Sequence, residues 1–257
     1  MEKLIADVVI CGAGMAGVSA AYHLAVKQGI RKVLLVDERA PLTLTSDKST
    51  EAYRNWWPGP GDTMVRFMNR SIDLLDRLAW ESGNYFNMNR RGYVFLTARP
   101  DQACVMERVA REISDLGAGP IRTYRGNPDD PSYPDGRPKG YDAALNGAEL
   151  VLDPARVRRQ YPFIQDTAIA MLHVRRCGWL SAQQLGMYLL QQAKEAGARY
   201  LMGRVSGVGV GKAVVESVRI TGEKNQWEIA TRSFVIAAGP MLKQAGALVG
   251  IDFPVFN

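Results

Sequence analysis

The run Gly12-Ala13-Gly14-Met15-Ala16-Gly17 constrains this chain more than any other segment, because it sets a Gly-x-Gly-x-x-Gly pattern between an apolar stretch and a helix-forming one. Leu4, Ile5, Val8, Val9 and Ile10 come before it and predict one buried strand over residues 3–10. Residues 15–28 hold Ala16, Val18, Ala20, Ala21, Leu24 and Ala25, which predict a helix that Gly29 stops. Residues 32–37 read as a second buried strand, so strand, helix and strand form a βαβ unit with parallel strands. In such a unit Gly12 permits the tight turn, Gly14 lets backbone approach a pyrophosphate, and Gly17 lets the helix pack close to the strand. With Ala13, Met15 and Ala16 they present helix N-terminal N–H groups and about half a positive charge to phosphate.

Asp37 closes the second strand, where a carboxylate accepts both ribose hydroxyls of an adenosine, and Glu38 and Arg39 follow it as further candidate contacts. The competing reading of Asp37 is a solvent-facing acid that begins a loop. An acid at this position disfavours a 2′-phosphate and argues against NADP. The fingerprint predicts dinucleotide binding and is shared by FAD and NAD.

Beyond the first unit, Asp62 heads an amphipathic helix to about residue 82, residues 92–97 form a strand, and residues 101–116 form a second amphipathic helix. Pro120, Pro128, Pro131, Pro134 and Pro138 alternate with glycines over residues 118–142, which predicts a loop without regular elements, either a functional flap or, the favoured reading, a mobile insertion. A short helix begins at Asp153-Pro154, a strand covers residues 167–174, and Ser181 with Gln184 forms a capping box for a helix ending at Gly197. Residues 199–202, 205–210, 214–220 and 226–230 predict a meander of short strands, and residues 233–238 an apolar strand that ends in Gly239-Pro240.

Composition removes several classes. A chain of 257 residues, 47% hydrophobic and 23% charged, is neither disordered, collagenous nor a coiled coil. The net charge of +6 is dispersed, so no nucleic-acid partner is expected. The pairs Arg90-Arg91, Arg158-Arg159 and Arg175-Arg176 would also suit a small anionic ligand. Cys11, Cys104 and Cys177 have no metal or disulfide spacing, so no metal is expected and a reducing compartment is. With no leader-like N-terminus and no run long enough for a membrane span, the cytoplasm is the expected location.

Four places together resemble the FAD-dependent amine and amino-acid oxidoreductases of the D-amino-acid oxidase and sarcosine oxidase superfamily, which includes glycine oxidase and the dimethylglycine dehydrogenases. They are the glycine fingerprint; Leu44-Thr45-Ser46-Asp47-Lys48-Ser49-Thr50 after the acid; Gly178-Trp179-Leu180-Ser181 opening a helix that ends at Gly197-Ala198; and Phe234-Val235-Ile236-Ala237-Ala238-Gly239-Pro240. The resemblance implies an α/β fold, a Rossmann-like FAD-binding domain with a parallel sheet plus part of an antiparallel-sheet substrate domain. It implies FAD-binding parts at about 1–84 and 178–250 and a substrate-side part at about 85–177.

The resemblance also implies that Thr45, Ser46, Lys48, Ser49 and Thr50 contact the pyrophosphate or ribityl chain, that the backbone of Val205 recognises adenine, and that Ala238 and Gly239 let the dinucleotide lie against backbone. Arg54 matches the place of an arginine beside the flavin or a substrate carboxylate. Its surroundings, Glu51 to Trp57, lack the family's histidine, so covalent flavin attachment through that residue is unavailable. Competing readings are a polar loop for residues 45–50, a surface arginine for Arg54 and a plain strand end for residues 238–239. Tyr53, Trp56, Trp57, Tyr85 and Phe86 are either an aromatic wall for an amine or core, and His23 and His173 read as structural.

The implied reaction is oxidation of the C–N bond of an amine or amino acid by hydride transfer to flavin N5. The implied relatives continue past residue 257, so the chain is expected to be an N-terminal portion that needs a C-terminal segment or partner subunit. Alternatives are a non-catalytic FAD or nucleotide-binding fragment and, more weakly, an NAD-linked dehydrogenase.

Overall fold

The computed structural model describes all residues except Met1, 135–139, 142–144, Ala213, Phe256 and Asn257. The chain forms two compact units, Met1–Thr50 with Ala182–Asn257, and Glu51–Ser181. Part of the expected mobile insertion, residues 135–139 and Asp142, lies outside the described residues.

The N-terminal stretch is two strands, not one: β1 (Glu2–Ile5) and β2 (Val8–Cys11) belong to different sheets. The break falls at Ala6-Asp7, where Asp7 N–H donates to the Lys32 carbonyl and Ala6 N–H to that of Ala230. Helix α1 (Met15–Tyr22) starts directly after the glycine turn, and its expected continuation to residue 28 is a π-helical turn, His23–Lys27. Strand β3 (Val33–Asp37) then pairs in parallel with β2, so the predicted βαβ unit forms.

The second unit opens with β4 (Ala52–Arg54) and α2 (Thr63–Glu81), which buries Val65, Ile72, Leu78 and Ala79. Asp62 stands at its N-cap without a side-chain cap bond. Next come β5 (Tyr93–Thr97), α3 (Pro100–Ile113) and β6 (Ile121–Tyr124), a strand inside the Pro/Gly-rich stretch where none was expected. Strand β6 exists because β7 (Ala148–Val151) pairs with it in parallel, a non-local support that local punctuation does not reveal. Short helix α4 (Pro154–Gln160) has its N-cap at Asp153, which accepts from the Ala155 N–H, and β8 (Ala170–Val174) and β9 (Cys177–Trp179) complete the unit. The sheet order is β5-β8-β7-β6, and β4 and β9 form a separate antiparallel ladder.

The chain returns to the first unit with α5 (Ala182–Glu195), β10 (Arg199–Met202), β11 (Arg204–Gly211), β12 (Val214–Thr221), β13 (Gln226–Ala230), β14 (Phe234–Ile236) and α6 (Leu242–Ala247). Strands β11 to β13 form the expected meander, joined by β1. Residues 199–202 do not: β10 pairs in parallel with β3, giving the sheet order β10-β3-β2-β14. Val9, Leu34 and Val36 on the parallel sheet share a core with Val205, Val218, Ile220 and Ile229 of the meander. Helix α1 packs against β2, β3 and α5, giving three layers.

In the second unit one sheet face is apolar, with Leu150 and Leu172 in a core that includes Trp56, Val65 and Ile113. The other carries a buried polar network. Glu149 receives Arg122 Nε at 2.9 Å and the Tyr124 hydroxyl at 2.8 Å. His173 is fully buried with hydrogen-bonding partners that sequence reading did not find. Its Nε2 lies 2.9 Å from the Arg91 carbonyl, so that nitrogen carries the proton and donates. Nδ1 is then the acceptor, 2.7 Å from the Tyr133 hydroxyl, 2.8 Å from Arg175 Nη1 and 3.2 Å from the Tyr161 hydroxyl. The paired arginines are largely answered by acids rather than left open to an anion: Arg90 by Asp76, Arg159 by Asp153, Arg175 by Glu149 and Arg176 by Asp73.

Burial, followed by the charge of Arg175, pushes His173 down to about 4 from its ordinary 6.5. The unfolded chain therefore binds the proton first, and the stability contributed by the neutral ring is complete above pH 6.5 and lost as pH falls towards 4. Between pH 7 and pH 5 this amounts to about 2 kcal/mol. Urea unfolding of His173→Gln is expected to show a correspondingly weaker loss over that interval; an unchanged pH slope contradicts this assignment.

Candidate nucleotide site

The site is built where the parallel strands end. Gly12 follows β2 at φ +109°, and an added Cβ would stand 2.3 Å from the Ala237 carbonyl oxygen, so only glycine fits the turn. A Cβ on Gly17 would stand 1.8 Å from the Gly12 carbonyl oxygen, which fixes how closely α1 approaches the turn. Gly14 differs: its Cβ would meet only Ser46 Oγ, at 3.3 Å, leaving its remaining surroundings open.

Ala13 N–H donates to Asp37 Oδ2 at 2.8 Å, and Arg39 N–H to Asp37 Oδ1 at 3.0 Å. Asp37 is therefore tied to the glycine turn instead of beginning an unconstrained loop. Tyr200 holds the same segment by donating its hydroxyl to the Arg39 carbonyl at 2.6 Å, and Gly203 N–H donates to the Asp37 carbonyl at 2.8 Å. Met15 N–H donates to Ser46 Oγ at 2.9 Å, which leaves the Ser46 proton available to another acceptor. The N–H groups of Gly14, Ala16 and Gly17 have no acceptor among the described residues.

At the strand ends lies a cavity of about 550 Å³. Of the residues expected to bind cofactor, Gly12, Gly14, Asp37, Glu38, Arg39, Val205 and Ala238 line it. Ala13, Met15, Ala16 and Gly17, in the turn and first helical turn, are not among its lining residues. Thr45 and Ser46 lie in a 3₁₀ turn, Thr45–Asp47, with Thr45 Oγ1 3.9 Å from where a Gly239 Cβ would be. Lys48 pairs with Asp47 and is exposed, as are Ser49 and Thr50.

Several wall residues escaped sequence reading. Leu42 is buried at φ +67°, a strained conformation for leucine. Its N–H donates to the Ala13 carbonyl, its own carbonyl accepts from Gln183 Nε2, and its side chain packs where Gly186 of α5 lacks a Cβ. No local pattern announces such a residue. Met241, Gln244, Ala245 and Leu248 add a wall from around α6, and Cys11 adds a thiol. Burial, then the Asp37 charge, pushes Cys11 up to about 11, so it is a neutral thiol at pH 7.

Arg54 belongs to the second unit, on β4 opposite Cys177. Its guanidinium carbon lies 4.2 Å from the Trp57 ring centre and 5.4 Å from that of Tyr93. Arg90, Arg122, Arg156, Arg175 and Arg176, the other described arginines of the unit that are not exposed, each pair with a carboxylate. Arg54 has no such partner among the described residues. Of the aromatic residues considered as a wall, Tyr53, Trp56 and Phe86 are buried, Trp57 is half-buried and Tyr85 is exposed.

The residues present fit an adenine dinucleotide. Acceptor-free amides follow the turn, a side-chain-free approach exists at Gly14, and a carboxylate is pinned beside a cavity of sufficient volume. The two glycines separate fold from binding: Gly17→Ala is expected to lose about 3 kcal/mol or more in urea unfolding, whereas Gly14→Ala loses under about 1 kcal/mol. Equal losses contradict the packing role of Gly17.

A family model described as FAD dependent oxidoreductase (DAO) matches residues 7–257. The chain is 26% identical to the mitochondrial dimethylglycine dehydrogenase of Rattus norvegicus and 24% identical to that of Homo sapiens, in each case over 97% of this chain and 25% of the relative. The fold matches the L-proline dehydrogenase of P. horikoshii (TM-score 0.75, 20% identity, 97% of this chain and 57% of that one). It also matches the glycine oxidase of Geobacillus kaustophilus (TM-score 0.74, 18% identity, 98% and 60%). The chain thus spans a quarter of the length of these curated relatives. Between the FAD and NAD readings of the glycine fingerprint, the family decides for FAD: the chain belongs to the DAO family of FAD-dependent oxidoreductases.

Proposed function

We propose that this chain supplies the FAD-binding and substrate-side parts of an enzyme that oxidises the C–N bond of an amine or amino acid. The observation that carries the reading is the cavity at the strand ends, with Asp37 fixed to the turn by Ala13 N–H and acceptor-free amides beyond it. FAD parts are assigned to about 1–84 and 178–250 and the substrate side to about 85–177. Asp37 receives the adenosine ribose hydroxyls, and the backbone at Val205 receives adenine. The amides of Gly14, Ala16 and Gly17, with the hydroxyls of Ser46 and Thr45, receive the diphosphate. Lys48, Ser49, Thr50, Ala238 and Gly239 are assigned to the remaining length of the cofactor.

When bound, FAD would supply the hydride acceptor, the amine giving up its α-carbon hydride to it and its N–H proton to solvent, and water would hydrolyse the resulting imine. The chain's own task is to orient the amine. Arg54 is the group we assign to a substrate carboxylate, because its fork is held on Trp57 and no described acid satisfies it. The three cysteines are free thiols, which supports a reducing compartment such as the cytoplasm. No described helix is long and apolar enough to cross a membrane.

A second reading, an FAD-binding module that turns nothing over alone, draws on the cavity's lining, which lies wholly within the first unit. Anaerobic titration of the full natural protein with secondary amines and amino acids separates the two. Bleaching of the visible flavin band supports catalysis; retained colour under the whole panel supports the module; colourless protein that takes up no FAD contradicts both. Arg54→Lys is expected to raise KM for carboxylated amines about tenfold or more with a smaller change in kcat, since lysine lacks the planar fork. An unchanged KM removes Arg54 from the substrate site.

A further inference from the structure

We propose that Glu38 and Arg204 form a specificity pair that confines the cavity to adenosines with a free 2′-hydroxyl. The inference rests on the nucleotide reading of that cavity. Four charged side chains line it, Asp37, Glu38, Arg39 and Arg204. Asp37 is fixed, since both its oxygens take backbone N–H groups, from Ala13 and Arg39. Arg204 follows Gly203, whose N–H is bound to the Asp37 carbonyl, so it starts β11 beside the end of β3. There Arg204 Nε donates to Glu38 Oε2 at 2.9 Å.

A 2′-phosphate carries between one and two negative charges and binds best to an arginine whose fork is free. Arg204 is the cation that could meet such a phosphate, and Glu38 already engages its Nε–H, so the phosphate would compete with a carboxylate for it. The same Glu38 adds a second carboxylate next to Asp37, so a phosphate on that ribose would face two acids, with only exposed Arg39 uncommitted. A 2′-hydroxyl meets neither penalty and can donate to Asp37. The discrimination therefore resides in a pair that makes no necessary contact with the permitted nucleotide. Because Glu38 is partly exposed and Arg204 mostly so, the pair contributes little to folding. Its variants are expected to fold, which far-UV circular dichroism and thermal melting verify.

The probes are adenosine 5′-monophosphate and adenosine 2′,5′-bisphosphate, which differ only in the 2′-phosphate, titrated calorimetrically into flavin-free protein of full natural length. The monophosphate is expected to bind about tenfold or more tighter. Glu38→Gln frees the arginine and removes one acid, shrinking that ratio about tenfold, chiefly by tightening the bisphosphate, and added salt reduces the gain. Adding Arg204→Gln to Glu38→Gln restores most of the preference. A ratio near one in the unaltered protein, or a ratio that Glu38→Gln leaves unchanged, overturns the pair while the nucleotide site stands. Failure of the monophosphate to bind at all overturns the nucleotide reading and the pair with it.

Discussion

The closest constraint in the first unit is the approach of α1 to the turn after β2, where Gly17 lies against the Gly12 carbonyl with no room for a methyl group. That approach is tighter than any side chain allows, and it places the helix's first amides at the ends of the parallel strands. The turn is closed from the other side by the Ala237 carbonyl, so Gly12, Gly17 and the residues after β14 form one packed knot. The helix dipole and the unpaired N–H groups have a fixed direction because that knot admits no alternative packing.

From the knot the rest of the cavity is organised by hydrogen bonds that bind backbone to backbone through single side chains. Asp37 joins the end of β3 to Ala13, Tyr200 reaches from β10 to Arg39, and Ser46 reaches Met15. Leu42 shows the same economy: a strained backbone persists because its N–H, carbonyl and side chain are all engaged. The second unit solves a different problem, holding several arginines out of bulk water by giving almost all of them an acid. Arg54 departs from that rule and stacks on aromatic rings instead, which is the ground for proposing it as a receptor for an external anion.

Much of this was legible in the chain. The glycine spacing, the acid after the second strand, the amphipathic helices and the meander are local signals whose periods survive in the fold. What escaped reading depends on partners far away in sequence. Residues 3–10 split because Ala6 and Asp7 are bound by Ala230 and Lys32; β6 is a strand because β7 pairs with it; and β10 leaves the meander to flank β3. Ladders of three residues, β4 with β9, are too short to show a period. Within the site, the fingerprint residues were visible, whereas Leu42, Cys11 and the wall around α6 were not, since apolar side chains announce burial without saying what they face.

The central claim is that an adenine dinucleotide rests against the strand ends with its diphosphate on the first helical amides. Amide hydrogen exchange, compared with and without FAD, tests this most directly because it reads those N–H groups themselves. Slowed exchange concentrated at residues 12–17, 37–39 and 203–206 is the predicted result. FAD binding accompanied by unchanged exchange at those residues would contradict the account.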